Sequence, residues 1–271
     1  MTDPTTTKVR MAELTGDEAR AVLAGNPVIL LPMGSHEDQG PHAPMGDYLS
    51  AERIAELIAR RATERGTRTL VAPVLPFGGA DYFGTMPGGI ALGQGTLRAV
   101  LADMFACLLR HDLTRLVVVT GHSGNVDAVH QTTLEVYRSR GVTIPSIYLW
   151  LIAYGMLPEI LGEATAARSA GHGADPLTSV AMHLFPGLMR PDMVPPPAPP
   201  PTAMGLPVSD FGTVSFEGAN IHVPLELDRI APNGVWAGDP RLCSAETGRV
   251  LTERLTELGA NFVAHYARHA G

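Results

Sequence analysis

A chain of 271 residues, 45% of them hydrophobic, is long enough to bury a sizeable core and fits neither a disordered nor a fibrous class. A net charge of −7 leaves no basic stripe for a nucleic-acid backbone, and two distant cysteines, Cys107 and Cys243, are no disulfide framework. No stretch nears the roughly 18 uninterrupted apolar residues of a membrane span, and the first residues lack the apolar core of a signal peptide, so the expectation is a cytoplasmic protein with a small neutral or cationic substrate.

Short runs rich in β-branched residues alternate with longer helical patterns, as in βαβ units around a largely parallel sheet. The first strand is predicted at 27–33, around Val28-Ile29-Leu30-Leu31. It runs into Gly34-Ser35-His36-Glu37-Asp38-Gln39-Gly40-Pro41-His42-Ala43-Pro44-Met45-Gly46-Asp47, a turn-rich stretch dense in ionisable groups. A helix over 49–65 places Leu49, Ile54, Leu57 and Ile58 on one face, and a strand follows at 68–75. The Gly/Ala-rich loop 78–95, with Asp81, Tyr82 and Met86-Pro87-Gly88-Gly89, is of a length that lines pockets. Then come a helix at 95–111, a strand at 115–120, the turn Gly121-His122-Ser123-Gly124-Asn125, a helix at 125–140 and a strand at 143–149. Loop 170–176 again joins a histidine, His172, to an acid, Asp175.

From 186 to 207 the chain carries Pro195-Pro196-Pro197-Ala198-Pro199-Pro200-Pro201. Proline lacks an N–H and fixes φ, so the segment is expected as a stiff extended crossing. The alternative, a linker, would leave beyond it a stretch too short and too poor in strand signals for an independent domain. A last helix is predicted at 244–267, with Ser244 as N-cap and Glu246 in its first turn. Both cysteines lie in segments that read as helical and are expected as small buried hydrophobes.

In parallel sheets the ligand lies beyond the carboxyl ends of the strands, and three polar loops, 34–47, 121–125 and 170–176, follow that rule here. Carboxylates and imidazoles without a nearby thiolate suit a catalytic Zn²⁺, Mn²⁺ or Fe²⁺. A metal on Glu37, Asp47 and His122 would keep an open position for a water and polarise a carbonyl, which makes a hydrolase. His172 and Asp175 are then the expected proton-handling pair, the acid orienting the imidazole. Trp150, Trp236, Tyr48, Tyr82 and Asp81 are candidate pocket walls.

On these residues the chain resembles the creatininase (creatinine amidohydrolase) family. Gly34-Ser35, Glu37, Gly40-Pro41-His42, Pro44 and Asp47 match its Gly-Ser-x-Glu-x-His-Gly-Pro-His-x-Pro pattern and the aspartate that follows. Met86-Pro87-Gly88-Gly89-Ile90, Gly121-His122-Ser123-Gly124-Asn125, His172 to Ser179, and Gly234-Val235-Trp236 with Gly238-Asp239-Pro240 match its later motifs in order. The resemblance implies one α/β domain over 1–271, a three-layer α/β/α sandwich with a mostly parallel central sheet. It also implies a homo-oligomer, a hexamer being one option, and a divalent-metal hydrolase of amide or related bonds. Family members include cyclic-amide openers, a deformylase, a peptidase maturing a peptide-derived redox cofactor and a hydrolase of an oxidised inositol.

Departures from the pattern are informative. Gln39 stands where the family has a histidine ligand of a second metal, and Asp47 falls one position closer to Glu37 than the pattern has it. Gly124 and Leu177 replace glutamates of some members, and Asp175 is shorter by one methylene. The expectation is one tight site on Glu37, Asp47 and His122, a second site weak or absent, and His42 as a residue orienting a carboxylate; whether His36 supplies a ligand is left open. Two other readings remain: a serine hydrolase using Ser123 with Asp175 and His183, and a ligand-binding family member without catalysis.

Overall fold

The computed structural model describes residues 8–196, 199, 201–226 and 230–270. Four short strands form a parallel sheet: β1 (Val28–Met33), β2 (Thr69–Val71), β3 (Leu116–Thr120) and β4 (Ser146–Tyr148), in the order β2-β1-β3-β4. All of β1 is buried, as a parallel strand covered on both faces must be, which is why its sequence reads as one apolar run. Its period of two sends Val28 and Leu30 into one core and Ile29, Leu31 and Met33 into the other.

The helices, in chain order, are α1 (Gly16–Leu23), α2 (Tyr48–Glu64), α3 (Gln94–Leu109), α4 (Val126–Arg140), α5 (Leu149–Leu161), α6 (Glu163–Ser169), α7 (Leu177–Leu184) and α8 (Ala245–His269). On one face of the sheet α2, α5, α7 and α8 pack through Ile54, Ile58, Leu157, Val180, Leu251 and Val263. On the other, α3 and α4 pack through Leu97, Leu101, Phe105, Ala128 and Val129. The result is the three-layer α/β/α arrangement the sequence leads one to expect. Ser244 caps α8 as expected, its hydroxyl accepting from the Thr247 N–H.

Strand ends are shorter than predicted where proline intervenes: β2 stops before Pro73 and β4 starts after Pro145. The segment 186–207 is not a single extended crossing. It begins with 3₁₀ turns at Pro186–Leu188 and Pro191–Met193, each opening on a proline where the missing N–H costs nothing. Residues 197, 198 and 200 lie outside the described residues, and the segment ends in a second sheet. That sheet, an antiparallel meander of β5 (Thr202–Ala203), β6 (Leu206–Asp210), β7 (Thr213–Phe216) and β8 (Ala219–His222), was not expected, nor were α5 to α7. The cysteines differ too. Cys107 is exposed, and Cys243 closes the 3₁₀ turn Pro240–Leu242 ahead of α8; both are free thiols. No described helix is long and apolar enough to cross a membrane.

Candidate metal centre

β1 and β3 end side by side, with Met33 opposite Thr120, and the sheet is wound outward in opposite directions from this pair. Such a switch point leaves a crevice beyond the carboxyl ends of the strands. The loop after β1 closes on itself there. The Ser35 N–H donates to Asp47 Oδ1 at 2.7 Å, and the Gly46 N–H to the Glu37 carbonyl at 2.9 Å. Gly34 permits this return, because a Cβ on it would lie 2.4 Å from Asp47 Oδ1 and 2.5 Å from the Tyr48 nitrogen. Two carboxylates far apart in the loop thereby meet.

The turn after β3 brings the third group. His122 Nδ1 lies 3.3 Å from Glu37 Oε1 and 3.5 Å from Asp47 Oδ2. One potential ligand atom from each of Glu37, Asp47 and His122 falls within 4.8 Å of the others, and all three residues are buried. The His122 tautomer is set from behind: Nε2 sits 2.9 Å from the Gly79 carbonyl, which can only accept, so Nε2 carries the proton there and Nδ1 faces the carboxylates. Asn125 holds this frame. Its Oδ1 accepts from the Gly79 N–H at 2.9 Å, and its Nδ2 donates to the Gly34 carbonyl at 3.1 Å and to Thr120 Oγ1 at 3.3 Å. One fully buried carboxamide thus fixes three loops around the trio, a role the motif Gly121–Asn125 did not disclose.

Burial opposes charge on Glu37, yet the neighbouring His122 and His172 outweigh it and hold this carboxyl below its ordinary pKa. Asp47 is pushed up, by burial first and by the charge of Glu37 against the counter-pull of His122. His122, though burial disfavours its cation, is drawn well above the ordinary imidazole value by Glu37 and Asp47. The two carboxylates thereby favour a proton on the His122 imidazole. Two hard carboxylate oxygens and an imidazole nitrogen, without thiolate, match the donors of a catalytic divalent metal, for which that proton would be exchanged.

The remaining candidates sort clearly. His172 enters the same pocket: Nδ1 is 2.8 Å from the Gly234 carbonyl, Nε2 is 3.4 Å from Glu37 Oε1, and the ring lies on Phe83. Asp175 does not orient it. Loop 170–176 folds back so that the Asp175 N–H donates to the Ser169 carbonyl, and the carboxylate turns inward to accept from the Ser179 hydroxyl. The expected His172–Asp175 pair is corrected on that geometry. The Ser123 relay is not assembled either, since Asp175 is engaged by Ser179 and His183 lines a separate groove with Arg60 and Glu64. His36 packs against Tyr48 and lies outside the trio, as neighbouring side chains of an extended segment leave on opposite sides. His42 is wholly buried, its pKa lowered by that burial, and bonds neither carboxylate.

Above the trio the free space is only about 50 Å³, walled by Tyr82, Tyr148, Trp150, Tyr154 and Phe211. Phe211 comes from the turn between β6 and β7 and stacks on Tyr82, with centroids 5.8 Å apart. Tyr154 and Phe211 had no signal in the sequence, because α5 and the meander were not foreseen, and Tyr148, within the expected strand 143–149, carried no mark of facing the site. Trp236 lies outside this space, beside Phe211 and a larger neighbouring cavity.

Comparison with known proteins agrees with the fold and the loop pattern. The family model described as "Creatininase: Creatinine amidohydrolase" matches residues 12–263. A mycofactocin precursor peptide peptidase of Mycobacterium ulcerans is 29% identical over 239 residues, covering 85% of this chain and 82% of that protein. A creatinine amidohydrolase of Pseudomonas putida is 29% identical over 214 residues, covering 71% and 79%. Among solved structures, a creatininase variant titled as a Zn-Zn type superposes with a TM-score of 0.71 at 26% identity, covering 95% of this chain and 98% of the other.

Proposed function

The chain belongs to the creatininase family, and on that footing we propose that it is a divalent-metal-dependent hydrolase of an amide or related bond in a small molecule, such as a cyclic amide or formamide. The observation that carries this reading is the buried convergence of Glu37, Asp47 and His122 at the sheet's switch point. Zinc, manganese and iron all suit the donors. Bound there, such an ion supplies Lewis-acid polarisation of a carbonyl and a water acidic enough to attack near neutral pH.

The chain's own groups supply the rest. Glu37, Asp47 and His122 would hold the ion, and the Gly79 carbonyl, by taking the Nε2 proton, leaves His122 Nδ1 as the nitrogen available to it. His172 is the proton-transfer group. With Nδ1–H donating to the Gly234 carbonyl, its Nε2 can take a proton from the attacking water and return it to the departing nitrogen. Tyr82, Phe83 and Phe211 cover the pocket and exclude bulk water. So small and aromatic a space favours a compact, flat amide over an extended peptide. Asp175 has no part in this scheme beyond packing. We also propose that the enzyme works in the cytoplasm, binds neither nucleic acid nor membrane, and assembles as a homo-oligomer, which would cover apolar residues such as Leu151, 67% exposed on α5.

The test is a panel of lactams, cyclic ureas and formamides, followed by mass spectrometry. Hydrolysis of at least one is expected, lost on chelation, restored by Zn²⁺ or Mn²⁺, and reduced to background in Glu37→Gln and His122→Ala. Activity that survives chelation and disappears in Ser123→Ala would overturn the proposal.

A further inference from the structure

Gln39 is 1% exposed and donates from Nε2 to Glu37 Oε1 at 3.1 Å. A carboxylate only accepts, so the amide cannot be turned the other way, and its oxygen faces away from Glu37. That oxygen, Oε1, is buried with no partner in the protein, and Gln39 lines the cavity over the trio. An unpaired buried acceptor costs about 1–3 kcal/mol, a cost that is removed when a ligand brings a donor.

Gly124 closes the other side. A Cβ there would lie 2.4 Å from the Gly79 carbonyl oxygen, 2.6 Å from His122 Nε2 and 2.7 Å from Ala80 Cβ. No side chain, and so no carboxylate ligand, fits at 124 while Gly79 and Ala80 hold their places. Among the described residues Glu37, Asp47 and His122 are the one group of three potential ligands, and His172, 3.4 Å from Glu37 Oε1, adds a single imidazole rather than a second group. Charge argues the same way. Two carboxylates neutralise one divalent cation, whereas a second would leave excess charge in a buried site, where uncompensated charge is expensive.

We propose that this centre holds a single divalent cation, and that Gln39, in place of a second one, presents its Oε1 to an N–H of the substrate. The proposal rests on the metallohydrolase reading above and adds to it what the pocket recognises: an amide, urea or amidine that retains a hydrogen on nitrogen.

The full chain loaded with Mn²⁺ and dialysed is to be examined by elemental analysis and electron paramagnetic resonance. One manganese per chain with an isolated-ion spectrum is expected. Two per chain, or a spin-coupled pair, would overturn the single-cation claim, whereas no bound metal at all would sink the metallohydrolase reading itself. Calorimetry then compares acetohydroxamate with its N-methyl analogue on the Mn²⁺-loaded protein. Gln39→Met, similar in shape but without the acceptor, is expected to keep one manganese and to lose about fivefold of the preference for the N–H form, the worth of one neutral hydrogen bond. An unchanged preference in a variant with wild-type melting behaviour would overturn the role of Gln39.

Discussion

At the residue scale, two of the trio are legible from position alone, each just beyond an unmistakable strand, whereas Asp47, next to the start of α2, is brought in by the return of its loop. Met33 and Thr120 end β1 and β3, and Glu37 and His122 follow within a few positions. The direction of the Asp175 side chain is not legible in this way. Its loop reverses on the Ser169 carbonyl, and closeness to His172 in sequence does not say which way a carboxylate turns. Nor does sequence reveal that Asn125 binds Gly34, Gly79 and Thr120 at once, since Gly34 and Gly79 are brought to it by tertiary structure. Supporting residues of this kind set metal affinity by 10- to 100-fold, roughly. Asn125→Ala is therefore expected to weaken Zn²⁺ or Mn²⁺ binding by about that factor, with the circular dichroism spectrum unchanged. A dissociation constant equal to wild type would remove Asn125 from the account.

At the scale of elements, α2, α3, α4 and α8 were legible because each buries one face and exposes the other. α5 was not. Leu149-Trp150-Leu151-Ile152-Ala153-Tyr154-Gly155-Met156-Leu157-Pro158 is apolar on all sides, so no 3.6-residue period stands out, and it contains glycine and proline. The meander was hidden by the shortness of its strands, two to five residues, and by their exposure, which leaves little alternation to read. α7 and α8 pack so closely that a Cβ on Gly248 would stand 1.8 Å from the Ser179 carbonyl oxygen. Backbone cannot yield as a flexible side chain would. Gly248→Ala is expected to lower stability in urea by about 1–3 kcal/mol, the usual cost of overpacking; an unchanged midpoint would mean the helices separate freely.

For the whole molecule, the layered architecture serves one end of the sheet, where three loops meet, and the opposite end carries no comparable cluster among the described residues. The joint that closes this end includes Asp175, 0% exposed. Burial pushes its carboxyl pKa up, against the lowering by Ser179, Ser169 and Cys243. A carboxyl raised in the folded state favours folding fully below its unfolded value, about 4, and that contribution is lost as pH rises through the folded value. Asp175→Asn, neutral throughout, should melt near the wild type at pH 4 and increasingly above it as pH rises towards 8. A gap independent of pH would show that Asp175 folds in as an ion.

The claim on which the rest depends is that Glu37, Asp47 and His122 together bind a divalent metal. The most direct measurement is metal content by elemental analysis, after loading with Zn²⁺ or Mn²⁺ and exhaustive dialysis, in the wild type and in Glu37→Gln, Asp47→Asn and His122→Ala. Stoichiometric metal in the wild type, and only trace metal in each folded variant, is the predicted result. A wild type that retains none, or variants that retain as much as the wild type, would contradict it.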